Sequence, residues 1–445
     1  MVNPLRRWRV KSSRQADRNA SSSMTDSTLS GWLERLQSQH PVEIDLGLER
    51  VSAVARAIDL VPATIPTLTV AGTNGKGSVV AVLSSVLLAG GRRVGSYTSP
   101  HLVSFNERIC VNGSPVSDQD LVAAFNAIEV ARGDISLTYF EVATLAALWI
   151  FREQEVDVQV LEVGLGGRLD AVNIIDADLT IITSIGLDHT DWLGDDRGLI
   201  AVEKAGVARS SCPCVVAEHD PPDALRRRLE DIGAEVSWVS EDWMLESPYV
   251  VTSSGSRYLL PENEGLLHQN VGAAIEALER SDVICLTQTL LDSMHPIGVP
   301  GRLSMLQYQN IDVLMDVAHN AESVRALVQR LRASPVTGKT RAIFGVMGDK
   351  PIHDMLAECG DVVDEWNLVD LSHVDRAASL DDLVRCIGVE NVADQGLFSM
   401  LWPSVRNRCS NADRVVIFGS FFTVAEAMAM FNADHPTEDA RGIDD

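Results

Sequence analysis

No run of this chain approaches the ~18 consecutive apolar residues of a membrane-spanning helix, and residues 1–23, rich in Arg and Ser, lack the apolar centre of a secretory signal. Basic residues are scarce: 37 Lys and Arg stand against 62 Asp and Glu, a net charge of −25. That balance excludes a general nucleic-acid surface, which must neutralise phosphates with cations. An anionic ligand has to be drawn by local devices such as helix ends, single lysines and metal ions. Cysteine is sparse as well, with seven scattered thiols, an odd number that suits a reducing cytoplasm better than a disulfide framework. Cys212 and Cys214 flank Pro213 with no further Cys or His at ligand spacing, so no metal site is expected there. What the chain has is length and apolar residues: 445 positions, 46% hydrophobic, enough for two or three domains with full cores.

The stretch LTVAGTNGKGS, Leu68 to Ser78, carries the sharpest signal. An apolar run breaks into a glycine-rich turn with one lysine, then resumes with helical spacing through Val79, Val82, Leu83 and Val86. A strand ending in such a turn aims backbone N–H groups and a helix dipole at an anion. Lys76 then stands where it meets a β- or γ-phosphate, and Ser78 where a hydroxyl reaches a metal ion. The strict G-x-x-x-x-G-K-[ST] spacing is not met, because Val70 replaces the first glycine and Gly77 intervenes before Ser78. A plain glycine-rich turn with a solvated lysine is the competing reading.

Further along, ligand-type residues recur at strand ends. Ser99 follows the short strand RVGSYTS, expected to neighbour the phosphate-loop strand; it is a turn residue or a ligand contact. Glu141 opens the apolar helix TYFEVATLAALWIF, as a cap or as a contact. Glu162 interrupts the buried-strand run Val158 to Val163, where an acid needs a cation or hydrogen bonds to offset several kcal/mol of desolvation. His189, in LDHTDWLG, falls at the same edge after another buried strand. Lys204 lies among apolar neighbours in RGLIAVEKAG, either paired with an acid or, with a lowered pKa, open to carbamate formation with carbon dioxide. A helix opens near Asn270, whose amide caps it or bonds a base or phosphate. The segment HPIGVPGRL reads as a linker, and βα alternation resumes beyond it.

Taken in order, GTNGKGS, TSPHL, TYFE, EVGLGGRLDAVN, LDHTDWLG, EKAG, HQN, PGR, DVAHN and GSFFTV resemble the folylpolyglutamate synthase/dihydrofolate synthase family, within the Mur-ligase superfamily of ATP-dependent amide-forming enzymes. The resemblance spans residues 29–432 and is close to the bifunctional bacterial type. It implies that Thr73, Asn74, Gly75, Lys76, Gly77 and Ser78 cradle the ATP phosphates, and that Asn270, Arg302, Asp316 and His319 lie at the nucleotide. It implies that Ser99, Glu162, His189 and a carbamylated Lys204 hold two magnesium ions, with Lys76, Lys204 and His189 catalytic. The pterin-bearing acid would lie against Asp45, Leu46, Gly47 and Leu48, against Thr138, Tyr139, Phe140 and Glu141, and against Leu169, Asp170 and Ala171. Two departures are visible: Phe422 stands where the family has a histidine, and VMGDK is a shortened loop.

The expected architecture is α/β: a P-loop-type Mur-ligase central domain over residues 25–298 with a mostly parallel sheet, then a smaller Rossmann-like α/β domain over 299–433. Residues 1–24 read as a disordered basic extension, with Met24 a second candidate start, and 434–445 as an acidic tail. The resemblance implies addition of L-glutamate to dihydropteroate and to reduced folates through an acyl phosphate, with ATP as co-substrate, by a cytoplasmic monomer that binds neither nucleic acid nor membrane. The alternatives are another Mur-type amide ligase, or a nucleotide-dependent switch or ATPase that performs no ligation.

Overall fold

A computed structural model describes residues 28–434, Glu43 excepted, so the expected extension over 1–24 and the tail beyond residue 434 lie outside the described residues. The first sheet has eight strands: β1 (Thr67–Ala71), β2 (Val94–Tyr97), β3 (Ile109–Val111), β4 (Ser114–Pro115), β5 (Val158–Glu162), β6 (Leu179–Ile182), β7 (Pro213–Val216) and β8 (Glu235–Trp238). Their order is β4-β3-β2-β5-β1-β6-β7-β8; β2, β5, β1, β6, β7 and β8 run parallel, while β3 and β4 add an antiparallel edge. Helices cover both faces, and β1, β5 and β6 are buried at every position, the polar Thr67, Thr69, Gln159, Glu162 and Thr180 included.

One expectation changes here. The strand leading to Ser99 does not neighbour the phosphate-loop strand, because β5 is inserted between β2 and β1. The pairings Tyr97 with Leu161 and Val70 with Glu162 put Glu162 between the Ser99 loop and the phosphate loop, level with both. All the strands that carry expected ligands therefore end at one carboxyl edge, where open α/β sheets bind ligands.

A second sheet follows the Pro/Gly linker. Its six strands lie in the order Ser304–Tyr308, Ile311–Asp316, Arg414–Phe418, Thr340–Phe344, Glu365–Val369 and Val392–Gly396, the first antiparallel and the rest parallel. The linker is not free chain, since Ile297–Gly298 pairs with Asn263–Glu264 as a two-stranded parallel ladder. The three-stranded meander Met244–Glu246, Tyr249–Val251 and Arg257–Leu259 was not anticipated; its strands are three residues each, too short to set up a visible alternation.

Candidate active site

The site grows from the turn after β1. Gly75 caps the helix Lys76–Ala89 with φ +89°, a conformation that suits glycine, and a Cβ there would lie 2.6 Å from Asn270 Oδ1. Asn270, buried in the first turn of the helix His268–Glu279, thus rests directly on the loop. The helix opens two residues before Asn270 and its cap is Leu267, so the capping alternative for Asn270 does not hold. Thr73 is fixed through its N–H to Ser184 O at 2.8 Å and its hydroxyl to Gly186 O at 3.2 Å. The Asn74 N–H donates to Ser184 Oγ at 3.0 Å.

Two lysines converge on this loop. Lys76 Nζ donates to the carbonyls of Gly72 and Thr73 at 3.1 and 3.2 Å, and Lys204 Nζ donates to the same Gly72 carbonyl at 2.9 Å. Lys204 is buried and among the described residues hydrogen-bonds no acid, so the ion-pair alternative for it fails there. Burial, reinforced by the charge of Lys76, pushes its ammonium down to about 7; Lys76 is lowered as well, by burial against the partial compensation of Glu162. Lys204 reaches the loop because its helix, Arg197–Ala205, packs on the GLGGR turn: a Cβ at Gly167 would lie 2.8 Å from the Glu203 carbonyl. Asp170 ties that turn together, accepting the N–H groups of Leu165 and Val172 at 2.8 and 2.9 Å, and burial raises its carboxyl to about 6.

Among the described residues Glu162 has a single hydrogen bond at the loop, from the Ser99 N–H at 3.4 Å; burial raises its carboxyl, against the pull of Lys76 and Arg302. His189 begins a short helical turn on the same edge and hydrogen-bonds neither Glu162 nor Ser99; its N–H meets Asp188 Oδ1 at 2.8 Å. Desolvation in the cleft, opposed by Asp188 and aided by Lys350 and Lys76, pushes its imidazole down to about 4. Among the described residues, no three His, Cys, Asp or Glu side chains converge as a ready metal cluster.

The second sheet closes the site from above. Asp188 accepts from Lys350 Nζ at 2.5 Å and lies 3.2 Å from His319 Nε2; burial opposes its ionisation, but His319, His189 and Lys350 hold it well below the usual carboxylate range. Asn74 donates to Glu322 Oε2 at 2.8 Å and accepts from Asn320 Nδ2 at 3.0 Å. Arg302 lies over the Phe421 ring at 5.4 Å, within electrostatic reach of Lys76 and Glu162. Asp316 spends its carboxylate on the N–H groups of Leu303 and Ala318, at 2.8 and 2.7 Å, and so shapes the Arg302 turn. Asp188, Lys350, Asn320 and Glu322 were missed from the sequence; the DK pair in VMGDK and the acid beside His189 were the available signals.

The residues expected to line the acid substrate lie on neighbouring elements. Arg50 Nη1 lies 2.7 Å from Asp45 Oδ2, and Arg50 Nη2 donates to Glu141 Oε1 at 3.1 Å, joining the Asp45–Leu48 turn to the start of the helix Tyr139–Glu153. Glu141 completes a capping box with Thr138, so its capping role holds. The Phe140 ring packs on Gly164, where a Cβ would meet it at 2.5 Å, and Ala171 follows Asp170 on the adjoining turn, whose helical stretch Ala171–Ile174 packs near the helices Glu49–Ala57 and Tyr139–Glu153.

Over most of its length the chain is similar to known ligases. Residues 301–421 match the Mur ligase, glutamate ligase domain family. The dihydrofolate synthase/folylpolyglutamate synthase of Escherichia coli K12 is 39% identical over 416 residues, covering 92% of this chain and 96% of that protein. The structure of Escherichia coli FolC in complex with DHPP and ADP superposes with a TM-score of 0.87 at 38% identity, over 93% of this chain and all of that one. A bifunctional folylpolyglutamate synthase/dihydrofolate synthase with Mn, AMPPNP and L-glutamate bound gives 0.86 at 38% identity, over 92% and 99% of the two chains. This chain belongs to the dihydrofolate synthase/folylpolyglutamate synthase family of Mur-type ligases.

Proposed function

We propose that the chain is an ATP-dependent ligase that joins L-glutamate to dihydropteroate, and to the terminal glutamate of reduced folates, through an acyl phosphate. The observation that carries the reading is the meeting of Lys76 and Lys204 on one loop carbonyl with Glu162 beside them: three ionisable groups in a buried place, none fully compensated within the chain. An anion and a cation arriving together would satisfy all three.

A carboxylate resists amide formation because its leaving group would be an oxide. Transfer of the γ-phosphoryl group makes the acyl phosphate, which the α-amine of glutamate attacks, releasing phosphate. Such a transfer needs positioning and charge neutralisation more than covalent help. The loop Thr73–Ser78 and Asn270 would hold the phosphates, with Lys76 swinging from the Gly72 carbonyl to the transferred group. Arg302, Asp316 and His319 would bring the second sheet to the nucleotide, closing the linker near Gly298 and excluding water from the acyl phosphate. The wall formed by Asp45–Leu48, Thr138–Glu141 and Leu169–Ala171 would take the pterin-bearing acid.

The residues suit a divalent cation. Glu162 offers a carboxylate with one weak hydrogen bond, Ser99 a hydroxyl beside it, and His189 a neutral ring. Bound there, two magnesium ions would neutralise the phosphate oxygens. Lys204, its ammonium lowered to about 7, is in part deprotonated at physiological pH and then has a lone pair for carbon dioxide; losing one proton, the amine would become a carbamate and a further oxygen ligand. We expect a cytoplasmic monomer acting on small molecules, with no nucleic-acid or membrane partner, and with domains at 25–298 and 299–433. The test is product mass after incubation with ATP, magnesium, labelled glutamate and each acid. Glutamate-extended product from both acids is expected; vigorous ATP hydrolysis without either acid or glutamate would favour a switch instead.

A further inference from the structure

The rim holds a buried arginine to which the reading above gives no task. Arg108 lies beside the Ser99 loop: its carbonyl accepts the Thr98 N–H at 2.9 Å, and its side chain turns inward, with the residue only 9% exposed. There Nε donates to His101 Nδ1 at 2.8 Å, and the guanidinium carbon lies 5.7 Å from the ring centroids of both Phe105 and Tyr139. These contacts fix the plane of the group and leave its outer edge free. Among the described residues neither Nη1 nor Nη2 has a hydrogen-bond partner, and neither is sealed from accessible space. The charge reaches Glu162 on one side and Tyr139, the first residue of its helix, on the other. The free edge therefore belongs to the space between the phosphate loop and the acid-substrate wall.

Clamping the 99–104 loop does not account for this arrangement. Glu107 already accepts the N–H groups of Leu102, Val103 and Ser104, at 2.7, 2.9 and 2.6 Å. A lysine-like point charge would not need its plane set by two rings, whereas a guanidinium fork matches the two oxygens of a carboxylate only when its plane is fixed. A buried cation without a counter-ion is also costly until an anion arrives.

We propose that Arg108 receives the carboxylate of the acid substrate, its two Nη groups gripping both oxygens so that the acid is presented to Glu162 and the phosphate loop. This rests on the ligase reading above and names the residue that recognises the acid for phosphorylation. The test is equilibrium binding, without ATP, of dihydropteroate and of its carboxamide, which keeps the shape and loses the charge. The unaltered chain is expected to prefer the acid by roughly tenfold or more. R108Q should bind acid and amide alike, and R108K, with a charge but no fork, should regain only part of the preference. ADP binding reports whether each variant keeps its loops; if R108Q does not, R108K decides, and a full preference there overturns the proposal. A preference that survives in R108Q overturns it, as does equal weakening of acid and amide, the signature of a lost loop clamp. A chain that binds ADP but neither acid nor amide overturns the ligase reading along with it.

Discussion

Two clusters of charge, one at an edge of each sheet, are balanced in opposite ways, the one around the buried Arg341 and the other around the buried Lys204 and Glu162. At the amino edge of the second sheet, Arg341 pairs with Glu365 and with Asp413, the latter at 3.5 Å, while Arg408 meets Glu365 at 3.1 Å, Asp394 at 3.4 Å and the Asn367 side chain at 2.6 Å. Burial pulls the Arg341 pKa down, yet Glu365 and Asp413 win and raise it above its ordinary value. At the carboxyl edge of the first sheet, Lys76 and Lys204 hydrogen-bond, among the described residues, only to backbone carbonyls, and both are lowered by burial. Charge that meets its partner inside the chain holds a fold together. Charge left waiting is costly to the fold, and that cost is recovered when a ligand arrives.

The contrast is sharpest if each cluster is broken in turn. Lys76→Met should cost the most in rate, a loss of roughly a hundred- to a thousandfold in kcat, as when one preorganised charge at a transition state is removed. Thermal unfolding should show no loss of stability in the same variant. Lys204→Ala should also lower kcat by about a hundredfold or more while the circular dichroism spectrum is kept; full activity would remove Lys204 from the chemistry. Glu365→Gln should do the reverse, losing about 3 kcal/mol of stability in urea titrations, because a buried guanidinium is left short of a partner, with kcat unchanged.

The smallest effect is a pH dependence. Lys204 has a folded pKa of about 7 against an ordinary value of 10.5, so between these values the unfolded chain binds the extra proton and stability rises with pH. Below pH 7 both states are protonated and the buried charge is carried in full. Lys204→Met should therefore raise the melting temperature most at pH 6 to 7, with the gain shrinking as pH approaches 10.5. A gain that grows with pH would contradict the assignment.

The same contrast explains what could be read in the sequence. Glu162 and Lys204 stood out because each interrupts an apolar run, and the glycine turn announced itself by composition. The insertion of β5 between β2 and β1 did not, since the order of parallel strands is set by packing and leaves no local trace. The Asp188–Lys350 pair joins positions 162 residues apart, and neither residue differs from a solvated charge until the two sheets face each other. Arg108 was hidden for a related reason: its open edge is defined by where His101, Phe105 and Tyr139 fail to reach.

The central claim is that the uncompensated lysines and Glu162 exist to let a carboxylate be phosphorylated before an amine attacks it. Labelling the acid substrate's carboxylate with oxygen-18 tests this directly. An acyl phosphate requires one labelled oxygen in the phosphate released with each amide bond formed; phosphate free of label, at full product yield, would contradict the account.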